Sequence, residues 1–147
     1  LQPREGDTGP AIRIMQITDS HAWPPSASTI EWETKGRTVR INAEGSSYST
    51  TEEGRLLCGI IARWKPHLAI FTGDTIDARA YAQGAPRDCW KAAFGAALVP
   101  VLEAGVPWAF VPGNHDHEEG CPYERADLVQ AFTEFPSCVS RGATGFN

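Results

Sequence analysis

The sequence has no long apolar run, no cluster of basic residues and no closely spaced cysteines, and each absence excludes a class of protein. No apolar run approaches the roughly 20 residues that span a bilayer, so no membrane span is expected. The 13 Lys and Arg residues are outnumbered by 18 Asp and Glu residues and are nowhere concentrated, which argues against a nucleic-acid partner. The four cysteines lack Cys-x-x-Cys spacing, so a cysteine-bound zinc is not expected.

What is present is the composition of a globular protein. Apolar residues make up 41% and charged residues 21% of the 147 residues, which fits one domain with a core of its own. We interpret Cys58 and Cys89 as buried free thiols. A disulfide between Cys121 and Cys138 stays open, because it would require an oxidising compartment, and the sequence does not fix the compartment.

Three short segments have the pattern of β-strands. Residues 11–17 alternate between apolar and polar side chains and are rich in branched residues, which is typical of a strand. Leu68–Phe71 and residues 107–111 are continuous apolar runs, as expected of strands buried on both faces of a parallel sheet. Residues 22–49 are rich in Pro, Ser, Gly and Thr and predict a long loop or hairpin excursion with a short strand at residues 37–41.

Helical patterns separate and follow these strands. A capping-box pattern at residues 50–53 begins a helix that ends before Pro66, and its apolar residues recur on one face, which we expect to be buried. A second helix is predicted from residue 86 or 87 to residue 104, with Pro100 starting, kinking or dividing it. A third is predicted over residues 123–132. The alternation of strands and helices indicates an α/β fold with a mostly parallel sheet and flanking helices.

Polar motifs follow all three strands directly. The first is Thr18-Asp19-Ser20-His21, the second is Gly73-Asp74-Thr75-Ile76-Asp77, and the third is Pro112-Gly113-Asn114-His115-Asp116. Alone, an Asp-x-His pair is more often a polar loop or helix cap, and Gly-Asp is a common turn. Because all three motifs stand at the carboxyl ends of predicted parallel strands, where ligands of such sheets bind, we interpret them together as a site.

The three motifs, in this order, resemble the first three of five metal-binding motifs of the calcineurin-like metallophosphoesterases. That resemblance implies two metal ions, of iron, manganese or zinc, in divalent or mixed-valence form. Asp19 and His21 would bind the first metal, Asp74 would bridge both metals, and Asn114 would bind the second. The implied activity is hydrolysis of phosphate esters, as a phosphatase or phosphodiesterase, with a bridging hydroxide as nucleophile. The substrate class beyond a phosphate ester stays open.

The resemblance also assigns roles beyond metal binding. His115 would donate a proton to the leaving group, and Asp77 would orient His115, although a helix-start aspartate is the alternative interpretation of Asp77. Purple acid phosphatases have tyrosine in place of Asp77 and glycine in place of His21, so this protein is not expected to be purple. The segments around Asn114 and Phe135 nevertheless resemble a plant and fungal phosphatase group that is often named with them.

The histidines of the last two family motifs are missing. Apart from His21 and His115 the chain has only His67 and His117. His67 precedes Asp74 by seven residues of strand, which at ~3.3 Å per residue places it at the wrong end of the sheet. His117 follows the third motif closely, and we interpret it as part of a solvated loop.

We therefore expect residues 1–147 to be a single partial phosphoesterase domain, the first half of a four-layer α/β/β/α sandwich truncated before the C-terminal histidine motifs. The chain alone is expected to bind one metal weakly and to have little or no activity. The alternative is a non-catalytic scaffold or interaction domain that kept the fold and lost the site. The oligomeric state stays open.

Overall fold

Three parallel strands form the sheet that positions the polar motifs. In the computed structural model, residues 11–22, 29–33, 38–42, 52–79, 89–118, 121 and 123–140 are described. The strands are β1 (Ile14–Ile17), β4 (Leu68–Phe71) and β5 (Trp108–Phe110), in the spatial order β1-β4-β5. Together with the helices between them, they confirm the predicted α/β class and the parallel sheet.

The register of the sheet brings the three strand ends level. Ile17 of β1 pairs with Phe71 of β4, and Phe71 pairs with Phe110 of β5. The central strand alternates between half-buried and buried positions, so the prediction that both of its faces are buried was wrong. Phe71, on the buried face, is 1% exposed. Each strand therefore passes into its polar motif at the same edge of the sheet.

The predicted excursion between the first strand and the first helix contains a hairpin. Strands β2 (Thr29–Glu33) and β3 (Thr38–Asn42) pair antiparallel. The second of them confirms the short strand predicted at residues 37–41, shifted by one residue. The remainder of the excursion from residue 23 to residue 49 lies outside the described residues.

Helix α1 (Glu52–Trp64) confirms the first helical pattern, but its buried face is narrower than predicted. Ile61 is buried and Leu57 packs on the core, whereas three further apolar side chains are 38–65% exposed: Leu56, Ile60 and Trp64. The contact between α1 and the next helix along the chain covers only part of the apolar face of α1. The capping residues at positions 50 and 51 lie outside the described residues.

The remaining helices are α2 (Cys89–Glu103) and α3 (Arg125–Phe132). Pro100 lies inside α2, which runs through it as one element. Of the three predicted alternatives, the start and the division of the helix at Pro100 were therefore wrong, and a kink stays a prediction. Gly105 follows the end of α2 with φ of +65°, a left-handed conformation that glycine adopts without steric cost. Helix α3 begins at a capping box between Glu124 and Asp127, in which each side chain accepts from the other residue's backbone N–H.

Aromatic side chains join the helices to the sheet. The ring of Phe94 on α2 contacts Trp90 on the same helix, Phe110 on β5 and Phe132 on α3, with centroid distances of 5.8, 5.2 and 4.2 Å. Trp108 lies 5.8 Å from the same ring. Such pairs contribute about 0.5–1.5 kcal/mol each beyond their burial. The core therefore fixes β5, and with it the third motif, against the helices.

The thiol of Cys138 is free, so the Cys121–Cys138 disulfide that the sequence left open is not formed. Burial raises the pKa of the Cys138 thiol, although hydrogen bonds with Ser140 oppose the shift. No helix of the described segments is both long and apolar enough to cross a membrane.

Candidate metal centre

Backbone hydrogen bonds join the first polar motif to the second. The N–H groups of Asp19, His21 and Ala22 donate to the carbonyls of residues 73, 74 and 75, with N···O distances of 3.2, 3.0 and 2.8 Å. The N–H of Asp77 donates back to the Ala22 carbonyl at 3.1 Å. The parallel pairing of the two strands thus continues past their ends, and it holds the side chains of both motifs at one edge.

Two glycines let the second motif touch the third. A Cβ on Gly73 would lie 2.7 Å from the Gly113 Cα, and a Cβ on Gly113 would lie 2.2 Å from the Asp74 Oδ1. Gly73 also has a φ of +107°, which residues with a Cβ rarely adopt. Glycine at both positions is therefore required for the close approach of the two loops.

The buried carboxylate of Asp116 ties the same two loops together. It accepts hydrogen bonds from the backbone N–H groups of Asp74, Ile76 and Gly113 at 2.8, 3.0 and 2.8 Å, and its side chain is 0% exposed. Burial raises the pKa of Asp116, and the three N–H donors oppose that rise by favouring the carboxylate. Sequence reasoning had named Asp116 only as part of its motif and had missed this structural role.

Two imidazoles and a carboxylate converge at this edge. The rings of His21 and His115 lie 4.9 Å apart between centroids, and one ligand atom each from His21, Asp74 and His115 fall within 4.8 Å of one another. The Asp74 Oδ1 also accepts from the His115 backbone N–H at 2.9 Å. Asp19 lies beside the group, with Oδ1 3.8 Å from the His21 Nε2.

Three of the acidic and imidazole residues have left-handed backbone conformations. The φ values of Asp19, His21 and Asp74 are +54°, +43° and +51°. Aspartate and histidine adopt this region more readily than most residues with a Cβ, and unusual backbone conformations concentrate at functional sites. The three left-handed residues therefore mark this edge as a candidate site.

The other residues singled out from the sequence lie around this group or away from it. Asn114 is exposed and precedes the 3₁₀ turn His115–His117, so it reaches the same edge as its neighbour His115. In that turn, the His117 Nδ1 lies 2.9 Å from the Gly113 carbonyl oxygen. His67 lies at the opposite end of the sheet, where its Nδ1 accepts from the Arg13 N–H at 3.0 Å.

Ionic contacts extend from His115 to Asp77 through two residues that sequence reasoning missed. The His115 Nδ1 lies 2.7 Å from the Glu118 Oε1, and the Glu118 Oε2 lies 3.8 Å from the Arg79 Nε. Arg79 in turn binds the Asp77 carboxylate with Nε at 2.8 Å and with Nη2. The only sequence signal for Glu118 was its spacing of three residues from His115 across a short turn.

These contacts shift the pKa values of the groups that they join. Glu118 raises the pKa of His115, chiefly through the close contact of its carboxylate with the imidazole. Arg79 lowers the pKa of Asp77, again chiefly through a side-chain hydrogen bond. Asp77, His115 and Glu118 each place one ligand atom within 4.8 Å of the other two, so Asp77 lies near His115 while its closest partner is Arg79.

Comparison with known proteins gives the same assignment as the motifs. Over 107 residues the chain is 32% identical to probable inactive purple acid phosphatase 28 of Arabidopsis thaliana, covering 73% of this chain and 24% of that protein. It is 26% identical over 130 residues to probable inactive purple acid phosphatase 29 of the same plant, covering 88% of this chain and 30% of that protein. The chain thus spans about a quarter to a third of the length of these relatives.

A family model described as calcineurin-like phosphoesterase matches residues 12–143. That match covers all three polar motifs and the strands that carry them. Members of this family generally bind two metal ions, and the convergence of His21, Asp74 and His115 within 4.8 Å offers candidate ligands for them. The chain belongs to the calcineurin-like phosphoesterase family.

Proposed function

We propose that this protein hydrolyses phosphate esters at a metal centre held by Asp19, His21, Asp74 and Asn114. The observation that carries the proposal is the convergence of all three motifs: the proposed ligands His21 and Asp74 and the proposed proton donor His115 each place one ring nitrogen or carboxylate oxygen within 4.8 Å of the other two. Level strand ends and the paired glycines explain why these groups meet.

The side chains fit metal ions in three respects. Carboxylate, imidazole and amide groups are the donors that iron, manganese and zinc accept. The His21 Nδ1 is buried without a hydrogen-bond partner among the described residues, and a buried unsatisfied nitrogen points to a missing partner. The left-handed backbones of Asp19, His21 and Asp74 cluster at this edge, as unusual conformations do at ligand sites.

Two metal ions at such a centre supply the positive charge that binds a phosphoryl group and activates water. The remaining steps belong to the chain itself. His115, whose ring lies 4.9 Å from that of His21, donates a proton to the leaving-group oxygen. Asp77 contributes to the charge balance around His115, although Arg79 takes up most of its hydrogen-bonding capacity.

Part of the centre is proposed to come from outside residues 1–147. The relatives extend far beyond the region that they share with this chain. We therefore propose that these residues form part of a larger phosphoesterase domain, whose further histidine ligands complete the metal shell. On this view the 147-residue chain alone binds metal weakly and turns over slowly or not at all.

A second candidate is a phosphoesterase-like scaffold that binds metal without turnover. Two observations favour it. The relatives carry the words "probable inactive" in their names, and in this chain Arg79 binds the aspartate that the first proposal assigns to His115. Both candidates share the metal centre and differ in hydrolysis alone.

Calorimetric titration of the 147-residue chain with Mn²⁺ or Zn²⁺ tests the metal centre. Asp74→Asn should weaken binding at least about tenfold, whereas Glu134→Gln should not, because Glu134 pairs with Lys91 at the surface. Equal binding by the wild type and Asp74→Asn would contradict the proposed centre.

Hydrolysis of p-nitrophenyl phosphate by the longest product of the gene separates the two candidates. Turnover that Asp74→Asn abolishes supports the enzyme. Metal binding without turnover on a panel of phosphate monoesters and diesters supports the scaffold. Sequencing the transcript past codon 147 adds an independent check, because a downstream Gly-His-x-His motif is expected only for the enzyme.

A further inference from the structure

Glu118 is the carboxylate that contacts the imidazole of His115. Its Oε1 lies 2.7 Å from the His115 Nδ1, a buried nitrogen that makes no hydrogen bond of regular geometry among the described residues. Both side chains are about one-quarter exposed, 27% for His115 and 26% for Glu118. Because a carboxylate oxygen this close would repel the lone pair of a bare ring nitrogen, the contact favours the tautomer with hydrogen on Nδ1.

Asp77, to which the family pattern gives the orienting role, is bound by Arg79. Asp77 Oδ1 accepts from the Arg79 backbone N–H at 3.2 Å and from its Nε at 2.8 Å, and Oδ2 accepts from Nη2. Both oxygens of this 6% exposed side chain are therefore engaged by one guanidinium. The second oxygen of Glu118 lies 3.8 Å from the same guanidinium without a hydrogen bond, so Arg79 binds Asp77 directly and attracts Glu118 only through its charge.

A second metal site is the competing interpretation of these residues. Asp77, His115 and Glu118 have ligand atoms within 4.8 Å of one another, as a cation site requires. The Arg79 guanidinium, however, already binds Asp77 and lies beside Glu118. A divalent ion bound there would be repelled by the positive charge of Arg79. The geometry therefore favours a role for Glu118 in positioning His115 over a metal site.

We propose that Glu118 is the positioning residue of His115. Its carboxylate keeps the hydrogen on Nδ1, so that Nε2 faces the leaving group, and the positive charge of Arg79 attracts Glu118. This inference rests on the proposed function, because it is His115 that donates the proton in that reaction. It assigns to Glu118 the orienting role that the family pattern gives to Asp77. Glu118 itself touches neither substrate nor metal.

Nitrogen-15 NMR of the His115 ring tests the positioning directly, without turnover. The uniformly labelled 147-residue chain is recorded at alkaline pH, where the neutral ring shows which nitrogen carries hydrogen, and the His115 signals are assigned by their loss in His115→Asn. We expect hydrogen on Nδ1 in the wild type and a mixture of both tautomers in Glu118→Ala. Glu134→Ala, which removes an exposed glutamate paired with Lys91, should leave the wild-type signals unchanged.

The spectrum of Asp77→Asn shows whether Asp77 or Glu118 determines the tautomer of His115. A Glu118→Ala spectrum that equals the wild type would overturn the proposal, and so would a tautomer change in Asp77→Asn that Glu118→Ala does not share. Metal titration distinguishes this failure from that of the proposed function, since Glu118→Ala should bind Mn²⁺ as the wild type does, and Asp74→Asn should not.

Turnover by the longest gene product gives a second readout that a purely structural residue would not affect. Glu118→Ala leaves the proton donor His115 unpositioned. It should therefore lower kcat for phenyl phosphate at least about tenfold more than kcat for p-nitrophenyl phosphate, whose leaving group needs less protonation. Equal loss on both substrates contradicts the proposal. If the wild type does not turn over, the proposed function fails, and the ring spectra alone decide the role of Glu118.

Discussion

Gly113 lies so close to Asp74 that a Cβ at position 113 would stand 2.2 Å from the Asp74 Oδ1. Side chains do not approach to that distance, so one of the two loops would have to move. The Asp74 carboxylate also accepts a hydrogen bond from the His115 backbone N–H, and a displaced loop would break that hydrogen bond as well.

Gly113→Ala is therefore expected to lower both metal affinity and stability. Overpacking of this kind costs about 1–3 kcal/mol of unfolding free energy, and urea denaturation measures it. Gly59→Ala is the matched control, because a Cβ at position 59 of α1 meets nothing within 4 Å. The control should gain up to about 1 kcal/mol from higher helix propensity, and equal behaviour of the two variants would refute the steric argument.

Asp116→Asn is expected to lower the unfolding free energy by about 1–3 kcal/mol. The amide that replaces one carboxylate oxygen is a donor, and it would face a backbone N–H of Asp74, Ile76 or Gly113. Glu134→Gln serves as control, since an exposed ion pair contributes about 0–1 kcal/mol. An unchanged denaturation midpoint for Asp116→Asn would contradict the structural role of this carboxylate.

The pair of Asp77 and Arg79 should stabilise the metal-free protein above about pH 4 and lose its effect in acid. Arg79 lowers the pKa of Asp77 in the folded state below the ordinary value of 3.8. A carboxyl group with a lowered folded pKa contributes stability above its unfolded pKa, and the contribution disappears as the pH falls through the folded pKa. Denaturation midpoints of the wild type and Arg79→Met, measured in chelator, should therefore differ near neutral pH and converge below pH 4. A gap that stays constant with pH would exclude the pair as its cause.

Phe94→Ala is expected to destabilise the protein by about 3–5 kcal/mol, because it leaves a cavity among the aromatic rings that join α2, α3 and the sheet. Trp64→Ala removes a larger side chain that is 54% exposed and should cost much less. Thermal or urea denaturation of both variants measures the difference. Similar losses would mean that the core lies elsewhere than the structure places it.

The sequence was sufficient to predict the elements whose signals are local. The central strand, Leu68–Phe71, is a continuous apolar run with Pro66 before it and Gly73 after it, and the sequence predicted its position although not its half-buried face. Glu124 and Asp127 form the capping box at the start of α3, and the predicted helix lay within two residues of it. The convergence of the polar motifs followed from strand direction alone, because parallel strands end at one edge.

Other features depend on neighbours that no local pattern describes. Pro100 lies inside α2 with its side chain fully buried, whereas the local pattern predicts only the cost of proline within a helix. The contacts of Arg79 with Asp77 and of Glu118 with His115 join residues whose pairing no local pattern indicates. The exposure of Leu56 on α1 likewise depends on how far the adjoining helix covers that face, which periodicity does not specify.

The left-handed backbones of Asp19 and Asp74 decide which substitutions at these positions can be interpreted. Asparagine tolerates that region of conformational space nearly as well as aspartate, whereas alanine does not. An asparagine variant thus removes a negative charge while keeping the shape of the loop, but an alanine variant alters both together. If Asp19 and Asp74 were replaced by alanine alone, an effect caused partly by the altered turn would be attributed entirely to the lost charge.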